Sequence, residues 1–156
     1  MTEHSQFLTD IASQIPDLTI KTDADSLENW GKDWTKHFTP NASAILFPKS
    51  TEQVAQIVKI ANKHKTSLVP SGGRTGLSAG AVASAGEVVI SFDKMHAIGN
   101  FFEADRMVEV EAGVITKTLQ EFAESKNLYY AVDFASSGSS QIGGNISTNA
   151  GGIKVI

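Results

Sequence analysis

The chain has 156 residues, 41% hydrophobic and 19% charged, with a net charge of −4 at neutral pH. A chain of this size buries about 68–70% of its unfolded surface, enough for a real core, and its composition is that of a soluble globular protein. Lysine and arginine are scattered through an acidic chain, so a nucleic-acid surface is not expected, and the lack of cysteine excludes disulfides, thiolate metal sites and cysteine nucleophiles.

In chain order, Leu8, Ile11, Ala12 and Ile15 fall at helical spacing and predict an amphipathic helix ended by Pro16. Residues 17–43 read as polar and irregular, anchored by Trp30 and Trp34, so that 1–43 form a helix and lead-in to an incomplete domain expected over 44–156. Ala44–Pro48 predicts a short apolar strand. Ser50 and Gln53 form a capping box for a helix whose buried stripe is Val54, Ile57, Val58 and Ala61. Ser67–Val69 predicts a second strand, so strand–helix–strand reads as a βαβ crossover with parallel pairing. Glu87–Phe92 predicts a buried strand. Ile98–Phe102 and Met107–Glu111 predict a hairpin around Glu103-Ala104-Asp105, its alternating valines and glutamates leaving one face wet. Ile115, Leu119 and Phe122 mark a helix to about Lys126, and Leu128–Val132 predicts a last short strand. The class is α+β.

No stretch has the length of a membrane span, and Met1-Thr2-Glu3-His4 opens no basic segment followed by an apolar run. The expected location is the cytoplasm, with peripheral association at the inner membrane as a variant. The chain stops in an apolar, strand-like run, Ile153 to Ile156, whereas natural termini are usually polar and frayed. The expectation is therefore a piece of a longer protein.

Ten of the thirteen glycines lie in two stretches, residues 72–86 and 138–152. The first contains PSGGRTGLSAGA (Pro70–Ala81) and the second is SSGSSQIGGNISTNAGG (Ser136–Gly152). Glycine is costly to order, so such density marks places where backbone approaches something closely. Two such runs predict two walls of one anion-binding crevice lined by backbone N–H donors. The commoner phosphate loops do not fit. There is no G-x-G anywhere for a Rossmann turn. Gly138 and Gly143 have P-loop spacing, but Gly144-Asn145 stands where Lys-Ser/Thr should be.

In that order and separation, and with the strand–helix opening Leu46–Asn62, these motifs resemble the FAD-binding domain of FAD-linked oxidases of the vanillyl-alcohol-oxidase superfamily. The D-lactate, glycolate and D-2-hydroxyglutarate dehydrogenases are the nearest in pattern. The resemblance covers roughly Ala44 to Gly152. It implies a PCMH-type fold, with an N-terminal βαβ subdomain and the start of a second mixed or antiparallel β subdomain. It also implies that Gly72, Gly73, Thr75, Gly76 and Leu77 wrap the FAD pyrophosphate through backbone amides, with Pro70 fixing the entry. Gly138, Ser139, Ile142, Gly143, Gly144, Asn145 and Thr148 would lie along the ribityl and isoalloxazine portion. Two departures are Ser71, where an arginine is frequent, and Arg74, where a third glycine is frequent. Arg74 is expected to contact the pyrophosphate or, preferentially, to face solvent or take a structural role. Covalent members of the family attach flavin through a histidine or cysteine near these loops. Neither stretch has a histidine, so FAD is expected to be noncovalent.

Plainer readings compete at several positions. His4, His37, His64 and His96 are widely spaced, without a metal-ligand pattern, and no metal is expected. Glu103, Asp105, Glu109 and Glu111 read as a solvated hairpin face. Trp30 and Trp34 read as core anchors, and Tyr129 and Tyr130 as packing residues. The function implied is the FAD-binding portion of a dehydrogenase that oxidises a D-2-hydroxy acid to a 2-oxo acid and passes electrons to a separate acceptor, a quinone or an electron-transfer protein. No catalytic base is expected in these residues, and the isolated chain is expected to lack turnover. The alternatives are an alditol oxidase or cell-wall sugar reductase on the same scaffold, or a non-catalytic nucleotide-binding module.

Overall fold

A computed structural model describes residues 3–152 and Lys154. The chain divides into two compact units, one formed by residues 1–71 and 76–94 and the other by residues 72–75 and 95–156. Mixed helices and sheets give the α+β class.

In the first unit the elements run α1 (Glu3–Gln14), β1 (Thr19–Lys21), α2 (Ala24–Trp30), β2 (Ala44–Phe47), α3 (Thr51–His64), β3 (Leu68–Ser71) and β4 (Val88–Ser91). The sheet order is β1-β2-β4-β3. β2 and β3 are both parallel to β4, as a crossover requires, but β4 lies between them, and β1 pairs antiparallel to β2. The alternation of side chains along the sheet sorts its core into two faces. Ala44, Leu46, Val88 and Ile90 pack with Phe7 and Ile11 of α1, with Ile15 just after it, and with Ile57, Ile60 and Ala61 of α3. Ile45, Phe47 and Val89 pack on the opposite face with Ala42, Ala83, Leu27 and Trp30. Burial on both faces explains why β2 and β4 are continuous apolar runs.

The structure departs from several sequence expectations. Residues 17–43 are not an irregular lead-in, because β1 and α2 lie within them. Asp23 caps α2, accepting from the Ser26 N–H at 2.9 Å. The buried face of α1 is Phe7 and Ile11, continued by Ile15 just past its end, with Ala12 exposed. In α3 the buried residues are Ile57, Ile60 and Ala61, and Val58 is exposed. Ile11, Ile15, Ile57 and Ala61 are buried as the spacing predicts and Leu8 and Val54 are half-buried, while Phe7 and Ile60 face the sheet in place of Ala12 and Val58. Ser50 caps α3 as expected, but Gln53 Oε1 accepts from the Lys49 N–H, one residue ahead of the cap. His64 is more than a dipole-favoured terminus. Its Nε2 lies 2.8 Å from Asp10 Oδ2, its ring is edge-on to Phe7, and Lys63 Nζ also reaches Asp10 at 2.8 Å. Trp30 is an anchor, its indole donating to Asp93 Oδ2 at 2.7 Å. Trp34 is not, being 71% exposed.

In the second unit β5 (Ile98–Phe102) and β6 (Met107–Val110) form the expected hairpin, with a bulge between Ile98 and Phe101. Glu103, Asp105 and Glu109 are exposed, in keeping with a solvated face. α4 (Thr116–Ser125) and α5 (Ile142–Ser147) follow. Val114, Leu119 and Ile142 form the core, with Val108, Val110, Phe122 and Tyr130 packed against it. Leu128–Val132 is not a strand. The Leu128 N–H turns back to Ala123 and the Val132 carbonyl accepts from Gln120 Nε2, so side chain and helix end replace a ladder partner. Residues 153, 155 and 156, part of the apolar run at the end of the sequence, lie outside the described residues.

Candidate functional site

The first glycine stretch is divided between the units. Pro70 and Ser71 end β3, in the first unit. Pro70 is tolerated because β3 is an edge strand, paired among the described residues only with β4. Ser71 is fully buried, and its hydroxyl faces the Trp30 carbonyl at 3.5 Å, so its side chain belongs to the core. Gly76 and Leu77 are exposed, and the Gly76 carbonyl accepts from the Trp34 N–H at 3.0 Å. The N–H groups of Gly76 and Leu77 donate to no protein acceptor among the described residues.

Gly72–Thr75 belong to the second unit, where they meet the second glycine stretch. A Cβ on Gly73 would lie 2.1 Å from the Ser139 carbonyl oxygen, and one on Gly72 would lie 3.3 Å from Gln141 Oε1. Backbone therefore rests directly on backbone. Arg74 adopts a left-handed conformation with φ 57° between residues of negative φ, an alternation that can turn successive N–H groups toward one concavity. Its guanidinium bends back to the Gly72 carbonyl at 2.9 Å and braces the turn. This gives a physical reason for glycine at the matching position of the resembled family, since glycine alone adopts that conformation at no steric cost. The N–H groups of Gly72, Gly73 and Thr75 have no protein acceptor among the described residues.

The second stretch is not the loop the sequence predicts. Residues 135–139 form turns and Ile142–Ser147 form α5. Residues 140–143 run beside residues 112–116, through Thr116 N–H to Ser140, Ile142 N–H to Val114 and Gly143 N–H to Ala112. Gly143 is required by that contact, because a Cβ there would sit 2.8 Å from the Ala112 Cβ. Beneath it lies a buried polar cluster. Thr116 Oγ1 is 2.7 Å from Ser140 Oγ and accepts from Asn145 Nδ2 at 2.6 Å. The Asn145 amide thus holds the scaffold, Thr148 Oγ1 donates back to the Gly144 carbonyl, and Ile142 is core. Ser139 is exposed. Gly138 and Gly144 are open: apart from adjoining backbone, no atom of the described residues lies within 4 Å of a Cβ placed on either.

Gly72 and Gly73 meet residues 139–141, as two facing stretches predict, but the residues that fix them carry no signal in the sequence. Thr116, Ser140 and Gln141 are buried beneath the stretch. Thr116 carried no signal, as a single threonine opening a helix. The second unit also holds an ion pair between Asp133 Oδ2 and Lys154 Nζ at 2.7 Å. Lys154, and secondarily Gln120, hold the Asp133 carboxyl below its ordinary value, and Asp133 raises Lys154. Tyr130, half-buried, is pushed up by desolvation. Among the described residues no cluster of His, Cys, Asp and Glu could hold a metal, and no helix is long and apolar enough to cross a membrane.

Comparison with known proteins places this arrangement. The chain is 69% identical over 137 residues to a D-2-hydroxyglutarate dehydrogenase of Stutzerimonas stutzeri, covering 88% of this chain and 30% of that protein. It is 48% identical over 142 residues to one from Xanthomonas citri, covering 91% of this chain and again 30% of the relative. The chain thus spans under a third of the curated relatives it matches. Its fold is shared with an alkyldihydroxyacetonephosphate synthase at a TM-score of 0.84 and 18% identity, covering 95% of this chain and 32% of that one. The FAD binding domain family matches residues 42–156, which include both glycine stretches and every strand from β2 onward. The chain belongs to the FAD binding domain family.

Proposed function

We propose that this chain is the FAD-binding portion of a dehydrogenase that oxidises D-2-hydroxyglutarate, or a close D-2-hydroxy acid, to the 2-oxo acid. The observation that carries the reading is the run of backbone N–H groups at Gly72, Gly73, Thr75, Gly76 and Leu77 without protein acceptors among the described residues. An acidic chain has no basic field to attract a diphosphate, so local N–H dipoles are the donors that suit it. The open faces of Gly138 and Gly144 fit the close approach of a flat ring. Close relatives named as D-2-hydroxyglutarate dehydrogenases support the substrate class.

When bound, FAD supplies the hydride acceptor for the substrate carbon that bears the hydroxyl. The chain's own residues hold and orient: Gly72 to Leu77 take the pyrophosphate through backbone donors, and Arg74 braces that turn from behind. Ser139 and the backbone at Gly138, Gly143 and Gly144 line the remainder, with Asn145, Ile142 and Thr148 keeping that backbone in place. Pro70 and Ser71 set the entry to the loop. FAD is held noncovalently. The hydroxyl proton must go to a base, and the base, the carboxylate-binding groups and the site for a separate electron acceptor lie in the part of the full-length protein outside residues 44–156. The location proposed is the cytoplasm, with peripheral membrane association as a variant.

The test is a visible spectrum of the natively purified full-length protein before and after acid precipitation, followed by anaerobic mixing with D-2-hydroxyglutarate and D-lactate. The expected result is yellow colour released to the supernatant and flavin bleaching by D-2-hydroxyglutarate. Colour retained in the pellet would overturn noncovalent binding. A colourless protein that takes up no FAD would favour a non-catalytic module.

A further inference from the structure

We infer that Asp33 is a further cofactor-binding residue, its Oδ2 accepting a hydrogen bond from a sugar hydroxyl of the dinucleotide; this rests on the FAD reading above. Asp33 is only 8% exposed, in the segment just after α2. Its two oxygens are treated differently. Oδ1 accepts from the Thr35 N–H at 2.8 Å. Oδ2 is buried and has no donor among the described residues. It faces Gly76, lying 3.5 Å from where a Cβ on that residue would be.

A buried carboxylate oxygen without a donor is costly, and native proteins rarely keep one without a use. A carboxylate only accepts, so its missing partner must bring an O–H or N–H. Gly76 next to it, and Leu77 after Gly76, have N–H groups without protein acceptors among the described residues. Donors and acceptor thus stand together in the first unit, a pairing that suits a ligand carrying both anionic oxygens and hydroxyls. A phosphate oxygen would take the N–H groups and be repelled by Asp33. The diphosphate of FAD is flanked on each side by a hydroxylated carbon skeleton, ribose on one and ribityl on the other, and a hydroxyl from either satisfies Oδ2. Gly76 is exposed and puts no side chain over Oδ2.

The test compares full-length wild type and Asp33→Asn after flavin removal. FAD affinity is measured by fluorescence titration, with ADP as competitor, alongside the melting midpoint of each apoprotein. Asparagine retains the acceptor for Thr35 and replaces Oδ2 by a donor amide. The expected result is an FAD Kd raised roughly 10- to 100-fold, the loss of one hydrogen bond to a charged group, with an apoprotein midpoint unchanged or higher. Parallel weakening of ADP would identify ribose as the partner, and unchanged ADP would identify ribityl. An unchanged FAD Kd would overturn the assignment. So would an apoprotein midpoint lowered by several degrees, which would mean that Oδ2 serves the fold. A wild type that binds no FAD would instead refute the FAD reading itself.

Discussion

The two glycine stretches have nearly the same composition and do opposite things. In the first, the N–H groups of Gly72, Gly73, Thr75, Gly76 and Leu77 are left without protein acceptors among the described residues. In the second, Ser139, Ser140, Ile142, Gly143, Asn145 and Thr148 all donate their N–H groups within the protein. The same kind of sequence therefore supplies a set of available donors in one place and a tightly bonded support in the other. Within the support, the glycines divide again. Gly143 is small because Ala112 is against it, whereas Gly138 and Gly144 have nothing against them among the described residues. Glycine density marks close approach, but only the surroundings of each residue say whether the approach is by the protein or by a ligand.

That contrast can be broken most forcefully at Gly73. Gly73→Ala places a methyl 2.1 Å from the Ser139 carbonyl oxygen and 2.8 Å from the Ser140 Cα, both backbone atoms. We expect a loss of about 3 kcal/mol or more, the upper end of overpacking, read as a lowered denaturation midpoint in the full-length protein. Gly138→Ala is the matched control, with an expected stability change within about 0.5 kcal/mol and a weakened FAD affinity. Equal destabilisation by both would erase the distinction between packed and open glycines. Next in size is Thr116→Val, which keeps the shape but removes the oxygen between Ser140 and Asn145. Leaving those buried groups short of a partner should cost about 1–3 kcal/mol, and thermal melts would register it. An unperturbed melt would mean that the buried cluster does not hold the support in place.

The smallest expected effect is a pH dependence confined to the support. Asp133 has a lowered pKa in the folded protein, chiefly through its hydrogen bond with Lys154. Its contribution is therefore present above the ordinary carboxylate value, near pH 4, and is lost as pH falls through the lower folded value. Lys154 is raised by Asp133, so its share is present below the ordinary lysine value and is lost as pH rises through the folded one. Melting midpoints of wild type and Asp133→Asn should differ slightly between those limits and converge in acid. A constant gap down to pH 2 would remove Asp133 ionisation as the cause.

Much of this was legible in the sequence wherever the pattern was local. β2, α3, β4 and the hairpin follow from apolar runs, a cap and alternation, and Gly72–Leu77 stood out as a loop. What was hidden depended on partners distant in sequence. Thr19-Ile20-Lys21 is a strand only because β2 offers it an edge, while Leu128–Val132, more apolar, has no such edge and is not one. α5 contains two glycines, each costing about 1 kcal/mol against alanine in a helix. It stands because Ile142 is buried in the core and Asn145 is tied to Thr116. Asp33 lay in a polar run with no pattern at all. Its meaning comes only from which of its oxygens the fold leaves without a donor.

The placement of β4 carries a consequence for how the protein forms. β2 and β3 are joined by α3, yet neither pairs with the other, because the strand between them is the last of the four in the chain. During synthesis, residues 44–71 can be complete while both strands still lack their shared neighbour. Pairing must wait until Val88–Ser91 has left the ribosome, and it then draws β2 and β3 in together. Contacts made so late and so far apart in sequence slow folding and leave edges open in the interval. Nascent chains ending between Ser71 and Val88 are consequently the form most exposed to aggregation, and the central strand acts as the closing piece of the first unit.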